Sequence, residues 1–213
     1  GHASTAISLG MGLTQAKQLT KEDYKVVSII GDGSFPGGIS LEALNNMMRI
    51  DGSLIVVLND NEMSISKNVG AFSDYFTNIR INPLYTKTKD RVENLVKRIP
   101  KFGEPLFHLA EKLKNRLKNF VIDFHPEVIV EEFGIEYLGP IDGHNITLLM
   151  SALSFAKEFK KPILVHLLTK KGKGYGPSEK DPTRFHSAGP FNIETGAPKL
   201  SNKITTYTEI FGK

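Results

Sequence analysis

Cysteine is absent from this 213-residue chain. That absence excludes disulfide frameworks, thiolate zinc sites and cysteine nucleophiles together, and it is compatible with the cytosol. Long apolar runs are missing too. None approaches the roughly 20 residues a membrane-spanning helix needs, so no membrane span is expected. The charged stretch and apolar run of a secretory leader are not found. Gly1-His2-Ala3-Ser4-Thr5 reads like the inside of a loop, and the expectation is a fragment of a longer protein. Three familiar motifs also fail. There is no G-x-x-x-x-G-K-[ST] loop and no G-x-S-x-G elbow, and in Gly31-Asp32-Gly33-Ser34-Phe35-Pro36-Gly37 the third glycine of the dinucleotide fingerprint is displaced by one.

What is present fits an ordinary globular chain. Hydrophobic residues make up 40% and charged residues 23%, enough apolar material to exclude a disordered chain. The net charge of +4 is mild. Its basic excess gathers between Lys87 and Lys118, where a solvated helical face is the better reading and no nucleic-acid partner is expected.

Four short apolar runs read as strands: Lys25–Ile30, Leu54–Leu58, Ile135–Leu138 and Ile163–Leu168. The first, second and fourth lack clean alternation, which predicts strands buried on both faces of a parallel sheet. Helical patterns lie between them. Ser4–Leu19 carries small residues suited to close packing. Ser40–Arg49 opens on Ser40 followed by Glu42, and Asp90–Asn119 looks helical. Asn145–Phe159 sets Leu148, Leu149, Ala152, Leu153 and Ala156 on one face. The alternation predicts an α/β domain, a mostly parallel sheet with helices on both faces, over residues 1–193. Residues 194–213 read as a linker and the start of a following domain.

Each strand runs at once into a polar, glycine-bearing segment. In a parallel sheet all four segments lie at the carboxyl edge, where open α/β sheets bind ligands. Asp32 and Asn61 are 29 residues apart, about one strand–helix–strand crossover. Alone, Gly31-Asp32-Gly33 reads as a tight turn and Asn59-Asp60-Asn61 as a turn and cap. Together, after two buried strands, they read as a partial cage for Mg²⁺, which takes one or two protein oxygens and completes its shell with water and phosphate. The flanking glycines let backbone approach a diphosphate.

The pair resembles the thiamine-diphosphate signature. GHASTAIS, GDGSFPGG, EALNN, VVLNDNEMSISKNVGA, GPIDGH and TKKGKGYGPSEKDPTRFH resemble the 1-deoxy-D-xylulose-5-phosphate synthase family from Gly1 to about His186. TTYTEIFG resembles that family's entry to its next domain. Transketolases and pyruvate dehydrogenase E1 chains share the GDG logic but not usually NDNEMSIS followed by NVGA.

The resemblance implies a thiamine-diphosphate-dependent transferase of the cytoplasm, a homodimer, that condenses pyruvate with glyceraldehyde 3-phosphate with loss of CO₂. That reaction opens the non-mevalonate route to isoprenoids and feeds thiamine and pyridoxal synthesis. It also implies roles. Asp32, Asn61 and the main-chain oxygen of Met63 are implied Mg²⁺ ligands. Gly33 and Ser34 are implied diphosphate contacts, and Asn61 is implied to touch the cofactor as well. Gly1-His2-Ala3 matches a cofactor-contacting segment, with Ala3 where the family usually has Ser. Ile65 is implied to pack beneath the thiazolium, Tyr175 to touch the cofactor and His186 to lie near substrate. Read from the residues alone, Ile65 is equally a core residue, Tyr175 a surface aromatic and His186 a capping histidine. Asp142-Gly143-His144 reads as a turn and helix cap. The family places a required glutamate in the next domain and histidines upstream of Gly1, so this chain alone is expected not to turn over. A non-catalytic or split-chain cofactor module, or another transketolase-like enzyme, remains the alternative.

Overall fold

The computed structural model describes residues 2–50, 52–81, 129–199 and 207–212. Gly1, the Asp90–Asn119 helical stretch and the Lys87–Lys118 basic run lie outside the described residues. The chain packs as two compact units, Gly1–Thr169 and Lys170–Lys213.

The first unit is built on four parallel strands: β1 (Val26–Gly31), β2 (Leu54–Asp60), β3 (Glu136–Asp142) and β4 (Ile163–Leu168), in the order β1-β2-β4-β3. Its helices are α1 (Ala6–Thr20), α2 (Gly38–Met47), α3 (Ala71–Ile81), the single turn α4 (Ile129–Glu132) and α5 (Ile146–Ala156). The pleat sends alternate residues of β2 to opposite faces. Leu54, Val56 and Leu58 pack with Ile7 of α1, Leu44 and Met47 of α2 and Phe76 of α3. Ile55 and Val57 join Ile163, Val165 and Leu167 of β4 against Leu148, Ala152 and Ala156 of α5. Each face of the sheet therefore has its own core, and helices cover both, as the apolar runs predict. Fully burying one such Leu, Ile or Val contributes about 1.5–3 kcal/mol. Gly10 lets α1 lie close to the sheet, since a Cβ there would meet Ser28 Oγ at 2.1 Å and Leu54 Cδ1 at 2.9 Å.

Three expectations are corrected. β1 is not buried on both faces: Val27 and Ile29 are exposed while Val26, Ser28 and Ile30 are buried. Among the described residues it stands at the edge of the sheet, and the α5 core joins β2, β3 and β4 without reaching it. Ser40 does not open α2. The helix starts at Gly38 behind Gly37, and Ser40 is buried inside it. Asp142 is a turn residue only, its Oδ1 accepting from His144 N at 2.9 Å, while Asn145 caps α5 by accepting from Leu148 N at 3.1 Å.

The second unit holds the short helices α6 (Gly176–Lys180) and α7 (Tyr207–Phe211). Phe191 and Pro198 pair across a turn in which Asn192 Oδ1 accepts from the amides of Glu194 and Thr195. Among the described residues, no helix is long and apolar enough to cross a membrane.

Candidate functional site

Parallel pairing brings the carboxyl ends of β1 and β2 side by side, in a register that sets Gly31 opposite Asn59. The next residue on each chain is an aspartate at one end and Asp60 at the other. Asp32 N donates to Asn59 O at 3.2 Å, which continues the ladder past the strand. The Asp32 side chain is 6% exposed; Oδ1 accepts from Gly33 N at 3.0 Å and Oδ2 from Asn61 N at 3.2 Å. Sequence separation of 29 residues thus becomes direct contact. Burial, then a hydrogen bond to the Asp60 side chain and repulsion by it, push the Asp32 carboxyl up to about 6, against the opposing pull of the Gly33 and Glu62 amides.

Beyond Asp60 the chain makes a compact excursion. Glu62 takes a left-handed backbone, φ 64°. Asn61 Oδ1 accepts from Met63 N at 3.0 Å, Met63 bridges to Lys67, and Asn68 N returns to Glu62 O at 3.1 Å. This loop lies against the glycine turn: a Cβ on Gly33 would meet Ser64 Cβ at 2.8 Å. Ile65 is 61% exposed, so it is not a core residue and its apolar surface is open to a ligand. Between the turn and the loop is a cavity of about 20 Å³ lined by Asp32, Asp60, Glu62, Asn68 and Phe76, among others. That is room for about one water or one small ion.

The diphosphate contacts expected at Gly33 and Ser34 are partly engaged already. Gly33 N donates to Asp32 Oδ1 and Ser34 N to Gly31 O at 3.0 Å. The Ser34 hydroxyl has no partner among the described residues, and Ser34 is part-buried at the turn. The amino-terminal loop docks here through a residue the sequence reading passed over. Ser4 Oγ donates to Ser34 O at 2.8 Å, and Ser40 Oγ donates to Ser4 O at 2.9 Å. Exposed His2 and Ala3 are thereby held next to the glycine turn.

In the second unit, Tyr175 packs edge-on against Phe185 at 5.6 Å between ring centroids, lies near Phe191, and donates its hydroxyl to Ile193 O at 2.7 Å. His186 is exposed, and Lys171 Nζ donates to its Nδ1 at 2.9 Å. Lys170 pairs with Glu179; that hydrogen bond, with one from Gly174 N, holds the Glu179 carboxyl below its usual range.

A buried polar row was not foreseen. His166, fully buried in the otherwise apolar β4, has Nε2 2.9 Å from Asp60 Oδ2 and Nδ1 2.7 Å from the Tyr137 hydroxyl. With Asp32 this makes a line of polar groups across all four strands. The available signal was a single imidazole inside ILVHLL, since a buried ring must find partners.

Residues 1–169 match the family model described as 1-deoxy-D-xylulose-5-phosphate synthase. Curated proteins of that name are 49% identical over 213 residues in Pelotomaculum thermopropionicum and 49% over 211 residues in Heliobacterium modesticaldum. A third, from Alkaliphilus oremlandii, is 47% identical over 213 residues. These alignments cover 99–100% of this chain and 32–34% of the relatives. The chain thus spans about a third of the length of the curated relatives it matches. A solved transketolase from Campylobacter jejuni aligns over 98% of this chain and 27% of its own, at 20% identity and a TM-score of 0.47.

Proposed function

Since the chain belongs to the 1-deoxy-D-xylulose-5-phosphate synthase family, we propose that the Asp32–Asn61–Met63 edge is the metal and diphosphate half of a thiamine-diphosphate site. The whole protein then condenses pyruvate with glyceraldehyde 3-phosphate and releases CO₂. The observation that carries this reading is the contact of Asn61 N with Asp32 Oδ2 at 3.2 Å, which joins two strand ends into one oxygen-rich corner.

The residues fit a small hard cation. A buried carboxylate beside a second buried carboxylate, with the Asn61 amide oxygen on the adjoining turn, is an all-oxygen donor set of the kind Mg²⁺ takes. Burial first, and then Asp60 beside it, disfavour the ionised Asp32 carboxyl, and a divalent cation would offset both. Asp32, Asn61 Oδ1 and the Met63 carbonyl would hold the metal, which would supply positive charge beside the diphosphate. When bound, the thiamine cofactor supplies an electron sink for the carbanion left by decarboxylation.

This chain's own residues then orient and enclose. The Ser34 hydroxyl and the Gly33 turn would receive diphosphate oxygens, exposed His2 and Ala3 are held at the same edge through Ser4, and Gly1, His2 and Ala3 are proposed together as cofactor contacts. Exposed Ile65 offers the apolar support under the ring. From the family resemblance alone, Tyr175 is proposed as a cofactor contact and His186 as a catalytic residue near the substrate. A homodimer in the cytoplasm, with residues 1–193 as cofactor domain and 194–213 leading onward, completes the reading.

The test is CO₂ release from pyruvate and glyceraldehyde 3-phosphate by the whole protein with thiamine diphosphate and Mg²⁺. Asp32→Ala is expected to lower the rate by at least about a hundredfold, and the 213-residue chain alone to form no product. Wild-type turnover in Asp32→Ala refutes the assignment of the metal site.

A further inference from the structure

We propose that His166 is a positioning residue for the Asn61–Met63 turn and acts on it through Asp60. The claim about the turn stands on this structure alone; its extension to metal affinity rests on the function proposed above.

His166 is built into place from every side. The β2–β4 register sets it opposite Leu58, two residues before Asp60, on the face that carries Leu164 and Val56. Nε2 meets Asp60 Oδ2 at 2.9 Å and Nδ1 meets the Tyr137 hydroxyl at 2.7 Å. The Phe76 ring closes over it edge-on at 5.3 Å between centroids. Strand β3 comes so near that a Cβ on Gly139 would lie 2.7 Å from His166 O and 2.8 Å from His166 Cβ. With both nitrogens partnered and the side chain fully buried, the ring has one orientation.

Asp60 passes that order on. One oxygen is fixed by the imidazole, and the other accepts from Glu62 N at 3.3 Å, an amide that Asp32 also draws on. Glu62 sits at φ 64°, a backbone state that an L-residue keeps only when its surroundings impose it. The turn so held presents the Asn61 side chain and the Met63 backbone. A role in packing alone needs no aimed carboxylate, because apolar residues of similar volume commonly replace a buried polar pair without loss. The directed Asp60–Glu62 bond is the part that packing leaves unexplained.

The experiment compares His166→Leu and His166→Gln in the 213-residue chain. One readout is amide hydrogen exchange at Glu62 and Met63 without ligand. The other is Mn²⁺ binding with thiamine diphosphate, followed by electron paramagnetic resonance. His166→Leu is expected to speed exchange of both amides by about tenfold or more while Leu164 and Val165 stay protected. It is expected to weaken Mn²⁺ binding about 10–100-fold. His166→Gln, whose amide reaches the Nε2 position, restores both to within a few-fold. A folded His166→Leu chain with unchanged Glu62 and Met63 exchange overturns the proposal, as does a Gln variant as impaired as the Leu one. If His166→Leu does not fold, Tyr137→Phe decides by the same exchange readout, with the same direction expected and no change overturning it. A wild-type chain that binds no Mn²⁺ while His166→Leu still frees the turn removes the metal reading and leaves the positioning role standing.

Discussion

Asp32→Asn keeps the shape of the buried carboxyl and removes its charge. In the folded chain the Asp32 carboxyl is raised from 3.8 to about 6, first by burial and then by Asp60. The sign follows from proton uptake. Between those two values the folded chain holds a proton that the unfolded chain has released, so stability falls as pH rises from about 3.8 to about 6. At about 1.4 kcal/mol per pH unit, the ionised group costs the metal-free fold about 3 kcal/mol above that window and almost nothing below it. About 2 kcal/mol of this develops between pH 4.5 and 7.5. Asn carries no titrating proton, so whatever hydrogen bonds it gains or loses at Gly33 and Asn61 are the same at both pH values and cancel in the comparison. The assay is urea denaturation of wild type and Asp32→Asn in metal-free buffer at both. Asp32→Asn is expected to be more favourable relative to wild type by about 2 kcal/mol at the higher pH. An equal difference at both, or one of opposite sign, refutes the claim that an unrelieved carboxylate is stored at this corner.

Further outcomes follow from the packing. Gly33→Ala drives a Cβ into Ser64 and is expected to cost about 1–3 kcal/mol in urea melts, displacing the 61–68 loop and weakening thiamine diphosphate binding. Asn145→Ala removes the α5 cap and should cost about 0.5–2 kcal/mol by the same assay. Ile29→Thr on the exposed face of β1 should stay within about 0.5 kcal/mol, whereas Leu54→Ala in the core should cost about 2–5 kcal/mol.

The strands were legible because buried parallel strands leave an unmistakable mark, a short run of Val, Ile and Leu ending in a polar turn. β2 and β4 carry it fully. β1 carries it too and misleads: VVSII holds two apolar residues, Val27 and Ile29, that the described residues leave uncovered. Local composition cannot tell an edge strand from a central one, because strand order is a property of the whole sheet. Helix α2 shows a similar limit. Ser40 looks like a cap, but its hydroxyl is drawn to Ser4 O across a gap of 36 residues.

At the site, Asp32 and Asn61 could be paired because one crossover separates them and the family wording surrounds them. The Asp60–His166–Tyr137 row could not. His166 is 106 residues from Asp60 and 29 from Tyr137, and only the β2–β4 and β3–β4 registers bring the three together. The imidazole in ILVHLL announced that partners exist without saying which.

The most direct measurement is a thermal-shift titration of the chain with thiamine diphosphate, with and without Mg²⁺. Ligand at about 100 times Kd adds about 2.7 kcal/mol of stability, a rise of a few degrees in Tm. The account predicts a rise that needs both ligands together and is lost in Asp32→Ala. A rise that is independent of Mg²⁺, or one that survives in Asp32→Ala, contradicts the assignment of Asp32 to the metal and diphosphate corner.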